Sequence, residues 1–360
     1  MKIGILTFSC AYNFGAILQC YALQEQLLRE GHDVHVINYC PDYLVSKKIK
    51  MRIRPLIKEN ITYVRKYILG RNSFSLYEDF VKSNLCLTNK VKNRKDLSEI
   101  IHSFDYIIIG SDQIWNTKYN DKDYAWLGDF FLAENKRPKI IFYAASAGDA
   151  NFSDTEKRVI SSKLSLPSVK AISVRESKLK NILTELIPYK NVPVVLDPSL
   201  MANPIIWKKW QYKIDGRYIV VYQARANDNV YRIAKKLSKE LDAKIYSVDF
   251  YPNSFQKGIN LKVVSPAGFI TLIKNALCVI TTSFHGTAFS IINETPFYTL
   301  KLNDGADERS YDLLCSLGLE DRFIDVKHTP VFSKIDFTNT YDKLNKLRNI
   351  SQSFLTENIV

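Results

Sequence analysis

The chain has 360 residues, 46% of them hydrophobic and 24% charged, which is enough apolar material for two domains with separate cores and excludes a disordered chain. No apolar run approaches the roughly 20 residues of a membrane span, and the amino-terminal "KIGILTF" is too short for a signal-peptide core, so a cytoplasmic protein is expected. A net charge of +13 asks for an anionic partner.

In chain order, "KIGILTF" reads as a strand, "AILQCYALQEQLLREG" as a helix that stops at Gly31, and "DVHVINY" as the next strand. The stretch from Lys47 to Arg71 then holds nine basic residues and one acidic one, with Ile, Leu, Tyr and Val interleaved. No nucleic-acid-binding signature accompanies that charge, so nucleic acid is set aside. An anionic membrane surface and a solvated helix face both fit. Strands follow at "YIIIG" (106–110), "KIIFYAA" (139–145), "AISVR" (171–175) and "VPVVL" (192–196), with amphipathic stretches between several of them.

Around "DPSLMANPIIW" (197–207) the pattern breaks, and "RYIVVYQ" (217–223) opens a second series. It continues through a helix near 228–241, the strand "AKIYSV", a helix opened by "SPAGF" with Ser265 as cap and Pro266 in its first turn, and the strands "LCVITT" and "FYTLKL". Alternation of this kind implies two doubly wound α/β domains, 1–200 and 205–335. A C-terminal helix within 336–360 can cross back to the first. Six cysteines (10, 20, 40, 86, 278 and 315) have no metal or CxxC spacing and read as small core residues in a reducing compartment.

Open α/β sheets bind ligands beyond the carboxyl ends of their strands. The residues there are Asn13 and Gly15 after the first strand, Ser111, Asp112 and Gln113 after "YIIIG", Arg175 with Glu176, Asp197, then "SFHGT" with Ser283, His285 and Gly286, and Lys301 eight residues before Arg309. Each also has a plain reading. Asn13 and Ser111 can cap helices, Arg175 can pair with Glu176, Asp197 can shape the turn before Pro198, and Lys301 and Arg309 can be solvated charges. His285 can be a satisfied core histidine, but a helix start after a buried strand favours an anion, and Gly286 lets backbone approach a ligand.

The runs "NFGAILQCYAL", "IIIGSDQIWN", "SVRE", "VVLDPS", "SPAGFITLIKNALCVITTSFHGTAFSIINETPF" and "DERSYDLLCSLGL" resemble the polysaccharide pyruvyl transferase family over roughly residues 3–325. The resemblance implies a GT-B-like pair of Rossmann-like domains facing across a cleft, the acceptor held by the first and the donor by the second. It also implies transfer of the pyruvyl group from phosphoenolpyruvate to two hydroxyls of a cell-surface polysaccharide precursor, as a ketal. His285 would then be the general acid or the ligand of the leaving phosphate, Arg175 and Lys301 the cations neutralising the donor, and Arg309 a further one. Asp197 would be an acceptor base or part of the hinge. The loops with Asn13, Gly15, Ser111, Asp112 and Gln113 would hold the sugar or lipid-linked oligosaccharide. Some relatives carry R-x-H-G where this chain has "SFHG", so Ser283 replaces a cation. The scheme needs no cofactor besides the co-substrate phosphoenolpyruvate, and no metal.

Two other readings share the fold. One is a glycosyltransferase using a nucleotide sugar; the glutamate pair eight residues apart of many retaining enzymes is missing, since Glu294 is followed by Leu302. The other is a non-catalytic sugar or phosphate binder.

If the acceptor is lipid-linked, stretch 47–71 is expected to hold the protein at the inner face of the membrane, each basic residue contributing about 1 kcal/mol at low salt. Replacing Lys47, Lys48, Lys50, Arg52 and Arg54 by Gln should release it from anionic vesicles while activity on a soluble acceptor survives. Equal vesicle binding by mutant and parent would make the stretch a solvated face.

Overall fold

The computed structural model describes residues 1–44, 61–130, 138–149, 151–249, 254 and 256–360. Of the basic stretch 47–71, residues 47–60 lie outside the described residues, and from Ile61 its backbone forms the start of a helix, Ile61–Asn84. Two compact units are present, each built on a parallel sheet, as the alternating pattern implies.

The first unit comprises Met1–Lys48, Lys82–Asn203 and Asn345–Val360. Its strands are β1 (Lys2–Leu6), β2 (Asp33–Val36), β3 (Tyr106–Gly110), β4 (Lys139–Ala145) and β5 (Val169–Val174), in the order β2-β1-β3-β4-β5. Ile5 pairs with Ile108 and Ile108 with Ile141, so continuous apolar strands stack side by side. Helices cover both faces of such a sheet, which is why these strands lack polar alternation. The helix Phe14–Arg29 begins two residues before the expected "AILQC", because Asn13 caps it, accepting from the N–H groups of Gly15 (2.8 Å) and Ala16 (3.2 Å). Gly31, at φ +85°, turns the chain out of it.

The expected strand "VPVVL" does not form. Val194 makes an isolated bridge to Val174, with Val174 N–H donating to Pro193 (3.0 Å) and Val195 N–H to Val174 (2.9 Å). Pro193 has no N–H to extend the ladder. The terminal helix Thr338–Asn358 belongs to this unit from Asn345 onward. There Ser351 Oγ accepts from Leu196 N–H at 2.9 Å, and Arg348 Nε donates to Leu200 O at 2.8 Å.

The second unit comprises Ile49–Val81 and Pro204–Leu344. Strands β6 (Tyr218–Tyr222), β7 (Lys244–Ser247), β8 (Ile259–Leu261), β9 (Cys278–Thr281), β10 (Phe297–Lys301) and β11 (Phe323–Asp325) lie in the order β11-β10-β9-β6-β7-β8. The edge strands β8 and β11 have three residues each, too short for any period to show in sequence. Ser265 and Pro266 open the helix Pro266–Lys274 as expected. Four cysteines, Cys10, Cys20, Cys40 and Cys278, are buried; Cys86 and Cys315, expected in the core, are exposed.

These orders place a topological switch point between β1 and β3 in the first unit and between β6 and β9 in the second. Among the described residues no helix is long and apolar enough to cross a membrane.

Candidate functional site

In the second unit β9 ends at Thr281, and the helix Phe284–Ile292 starts three residues later. Ser283 caps it, its hydroxyl accepting from Gly286 N–H at 3.4 Å, and is itself held by its N–H on Thr281 Oγ1 at 3.0 Å. His285 is therefore the second residue of a helix whose first turn sits on the switch point, and it is only 6% exposed. It is part of the packed first turn, where the sequence pattern had placed it in the turn between strand and helix.

Gly286 is also needed for packing. A Cβ there would lie 2.2 Å from Thr281 Oγ1 and 2.9 Å from Thr281 Cβ, so the glycine lets this helix lie close against β9. Thr287 of the helix and Thr299 of β10 share a hydroxyl hydrogen bond of 2.6 Å, fixing it to the neighbouring strand as well.

Lys301 ends β10 and is exposed. Since Thr299 pairs with Thr281, Lys301 stands level with Ser283, beside the start of the His285 helix. Arg309 is buried in the first turn of the helix Glu308–Leu317, which follows the loop beyond Lys301. The strand ends thus bring Ser283, His285, Gly286 and Lys301 to one edge of one sheet.

Sequence reasoning missed Arg225. It lies three residues past the end of β6, across the switch point from His285. Its Nη1 donates to Asp304, and its Nη2 to Asp307 Oδ1 (2.9 Å) and Thr282 O (3.2 Å). Asp307 Oδ2 in turn accepts from the N–H groups of Leu302 (3.0 Å), Asn303 (2.7 Å) and Asp304 (3.3 Å), folding the loop after Lys301 around one carboxylate. The end-of-strand rule would have found Arg225 had it been applied to "YIVVYQAR".

In the first unit, Arg175, Asp197 and Ser111 form a buried set. Arg175 Nη1 donates to Asp197 Oδ2 at 2.7 Å, Ser111 Oγ donates to the same oxygen at 2.9 Å, and Ser199 N–H and Oγ donate to Oδ1 at 2.9 and 2.6 Å. The Arg175 and Asp197 side chains are 2% and 0% exposed, and Glu176 approaches the guanidinium at 4.0 Å. Asp197 thereby does three structural jobs: it caps the short turn Pro198–Met201, holds the β3 turn and balances a buried cation.

The β3 turn carries backbone strain. Gly110, at φ +149°, could not hold a Cβ, which would fall 2.0 Å from Tyr143 O, and Ser111 and Asp112 follow at φ 24° and 53°. Ala144, at the end of β4 beside it, has φ 49°. Non-glycine residues in this region cost of order 1 kcal/mol or more each and concentrate at functional sites. Gln113 leads away from the turn; its Oε1 accepts from Asn116 Nδ2 (2.8 Å), whose amide also reaches Asp149 (3.2 Å). Lys118, bonded to Asp149 at 2.6 Å, holds that carboxyl below its usual range. Asn13 and Gly15 open the helix that follows the loop after β1, the strand next to β3 in the sheet.

Among the described residues no group of three or more His, Cys, Asp or Glu side chains is placed to hold a metal ion.

A family model described as polysaccharide pyruvyl transferase matches residues 13–304. No curated protein matches the chain. Among solved structures it is similar to a UDP-GlcNAc 2-epimerase of Neisseria meningitidis bound to UDP-GlcNAc, with 11% identity and a TM-score of 0.48 over 100% of this chain and 94% of that one. A UDP-GlcNAc 2-epimerase of Methanocaldococcus jannaschii in complex with UDP-GlcNAc and UDP shares 14% identity, with a TM-score of 0.46 over 98% of this chain and 92% of that one. A spinosyn rhamnosyltransferase shares 11% identity, with a TM-score of 0.44 over 99% and 91%.

Proposed function

This chain belongs to the polysaccharide pyruvyl transferase family, and is thereby a transferase; from that premise we propose that it moves the pyruvyl group of phosphoenolpyruvate onto two hydroxyls of a cell-surface polysaccharide precursor. The methylene carbon of the donor takes a proton and becomes a methyl group. The bond from C2 to the phosphate oxygen breaks, inorganic phosphate leaves, and two bonds form from C2 to sugar oxygens. The two hydroxyls release two protons, one replacing that taken by the methylene and one leaving with phosphate.

The observation that carries this reading is the packed helix start at the β6/β9 switch point, with His285 in its first turn and Lys301 beside it. A helix N-terminus favours an anion, and an imidazole titrates near neutral pH, so one turn can bind phosphate and move a proton. Lys301 is an exposed cation able to meet the donor's carboxylate or phosphate, and Arg309, buried at the start of the next helix, is a further cation nearby in sequence. Asn13, Gly15 and the strained turn of Ser111 and Asp112, at the other switch point, hold the acceptor sugar, with Gln113 at its margin. Arg175 and Asp197 keep that turn in place through the Ser111 hydroxyl.

Thermal stability in the presence of candidate donors tests the donor assignment. At about 100 times its dissociation constant a bound ligand adds roughly 2.7 kcal/mol to the folded state. Phosphoenolpyruvate should raise the melting temperature, while nucleotide sugars such as UDP-GlcNAc should not. A shift with a nucleotide sugar and none with phosphoenolpyruvate would replace this reading by glycosyl transfer, and an intact site with no turnover would indicate a binder.

A further inference from the structure

Arg225 lies where the proposed reaction needs positive charge, yet two carboxylates already occupy it. We propose that it is a further donor-binding cation, parked on Asp304 in the unliganded site and passed to an anionic oxygen of the donor on binding, with Asp307 keeping it aimed. This deepens the phosphoenolpyruvate reading and rests on it.

Three neighbouring strand ends meet at this side chain. Strand β9 lies between β10 and β6, and Arg225 reaches from the β6 side over Thr282, at the end of β9, to the loop beyond β10. Its backbone cannot drift, because the N–H groups of Ala224 and Arg225 both donate to Thr282 Oγ1, at 3.1 and 3.2 Å. Thr282 is three residues before His285, so the guanidinium is tied to the turn that carries the proposed proton donor.

The two carboxylates are unlike. Asp307 is buried, its side chain 9% exposed, and its other oxygen takes three backbone N–H groups, so it cannot leave without unfolding its loop. Asp304 is 44% exposed, and apart from Arg225 it accepts from Ala306 N–H at 3.0 Å. An exposed ion pair contributes little to stability, so Asp304 is the partner that can be exchanged. A guanidinium held on one side by a fixed carboxylate presents its remaining edge in a form that suits the paired oxygens of phosphate or carboxylate. Two carboxylates on one cation also offset the charge that Arg225 can offer an anionic donor until Asp304 moves aside.

This arrangement makes opposite predictions for two halves of one ion pair. Phosphoenolpyruvate binding to the full-length protein would be measured by calorimetry, with KM and kcat from phosphate release and a melting curve for each variant. Arg225→Ala should weaken binding tenfold or more and raise KM, with kcat less affected, and Arg225→Lys should recover part of the loss. Asp304→Asn should instead tighten binding severalfold, because a competing carboxylate is gone. If the pair is only a strut, both substitutions weaken binding together, and that result, or unchanged binding in Arg225→Ala, overturns the proposal. Should Arg225→Ala fail to fold, the sign of the Asp304→Asn effect still decides. A parent protein that binds a nucleotide sugar and not phosphoenolpyruvate would sink the donor reading, and this proposal with it.

Discussion

Replacing His285 by Ala is expected to lower turnover by roughly 10² to 10⁴, the usual worth of a positioned general acid, while phosphoenolpyruvate binding falls much less. The imidazole is in the first turn of a helix packed on β9 and β10, so it is fixed relative to anything bound at that turn. It is also largely buried, so removing it leaves a small void, and a melting curve must accompany the rate. His285→Gln fills much of that space but has no acidic proton to give. It should fold like the parent and show the same loss of rate. Near-parental turnover in either folded variant would make the histidine a core residue and move the proton donor elsewhere.

Arg175→Ala is expected to act through stability. Removing the guanidinium leaves Asp197 buried with its charge no longer balanced, and breaking a buried pair from one side costs about 3–5 kcal/mol. Asp197 keeps its bonds from Ser111 and Ser199, so the lower part of that range applies. Removing both partners should cost less than the two single changes added together, because Asp197 is then not left buried opposite a missing cation. Urea unfolding of the two single variants and the double variant measures this. A loss under about 1 kcal/mol in Arg175→Ala, below the range for a buried pair, together with weak phosphoenolpyruvate binding would make Arg175 a donor ligand rather than a structural cation.

Much of this was legible because strand ends are. "YIIIG", "LCVITT" and "FYTLKL" are mostly apolar runs, so the polar residues after them, Ser111, Ser283 and His285, and the closing Lys301, fell at the sheet edge as expected. Long-range pairing is what sequence hides. Arg225 meets Asp304 and Asp307 from 79 and 82 residues away, and nothing local marks either partner. Arg175, as a donor cation, and Asp197, as a base or part of the hinge, were both selected, but their bond across 22 residues is a product of the fold. Gly286 has a second reason to be glycine that only the packed structure reveals, namely Thr281 beneath it. The apolar run "VPVVL" misled because its hydrophobicity outweighed one proline in the pattern, whereas in a sheet one missing N–H interrupts the ladder.

Pyruvyl transfer itself is tested most directly by incubating the protein with phosphoenolpyruvate and a panel of acceptor sugars, then measuring inorganic phosphate and the mass of each sugar. Phosphate release should depend on the acceptor and equal in amount a sugar product heavier by one ketal-linked pyruvate. Neither phosphate nor product from phosphoenolpyruvate, alongside a glycosylated product when a nucleotide sugar is supplied to the same acceptors, would contradict it.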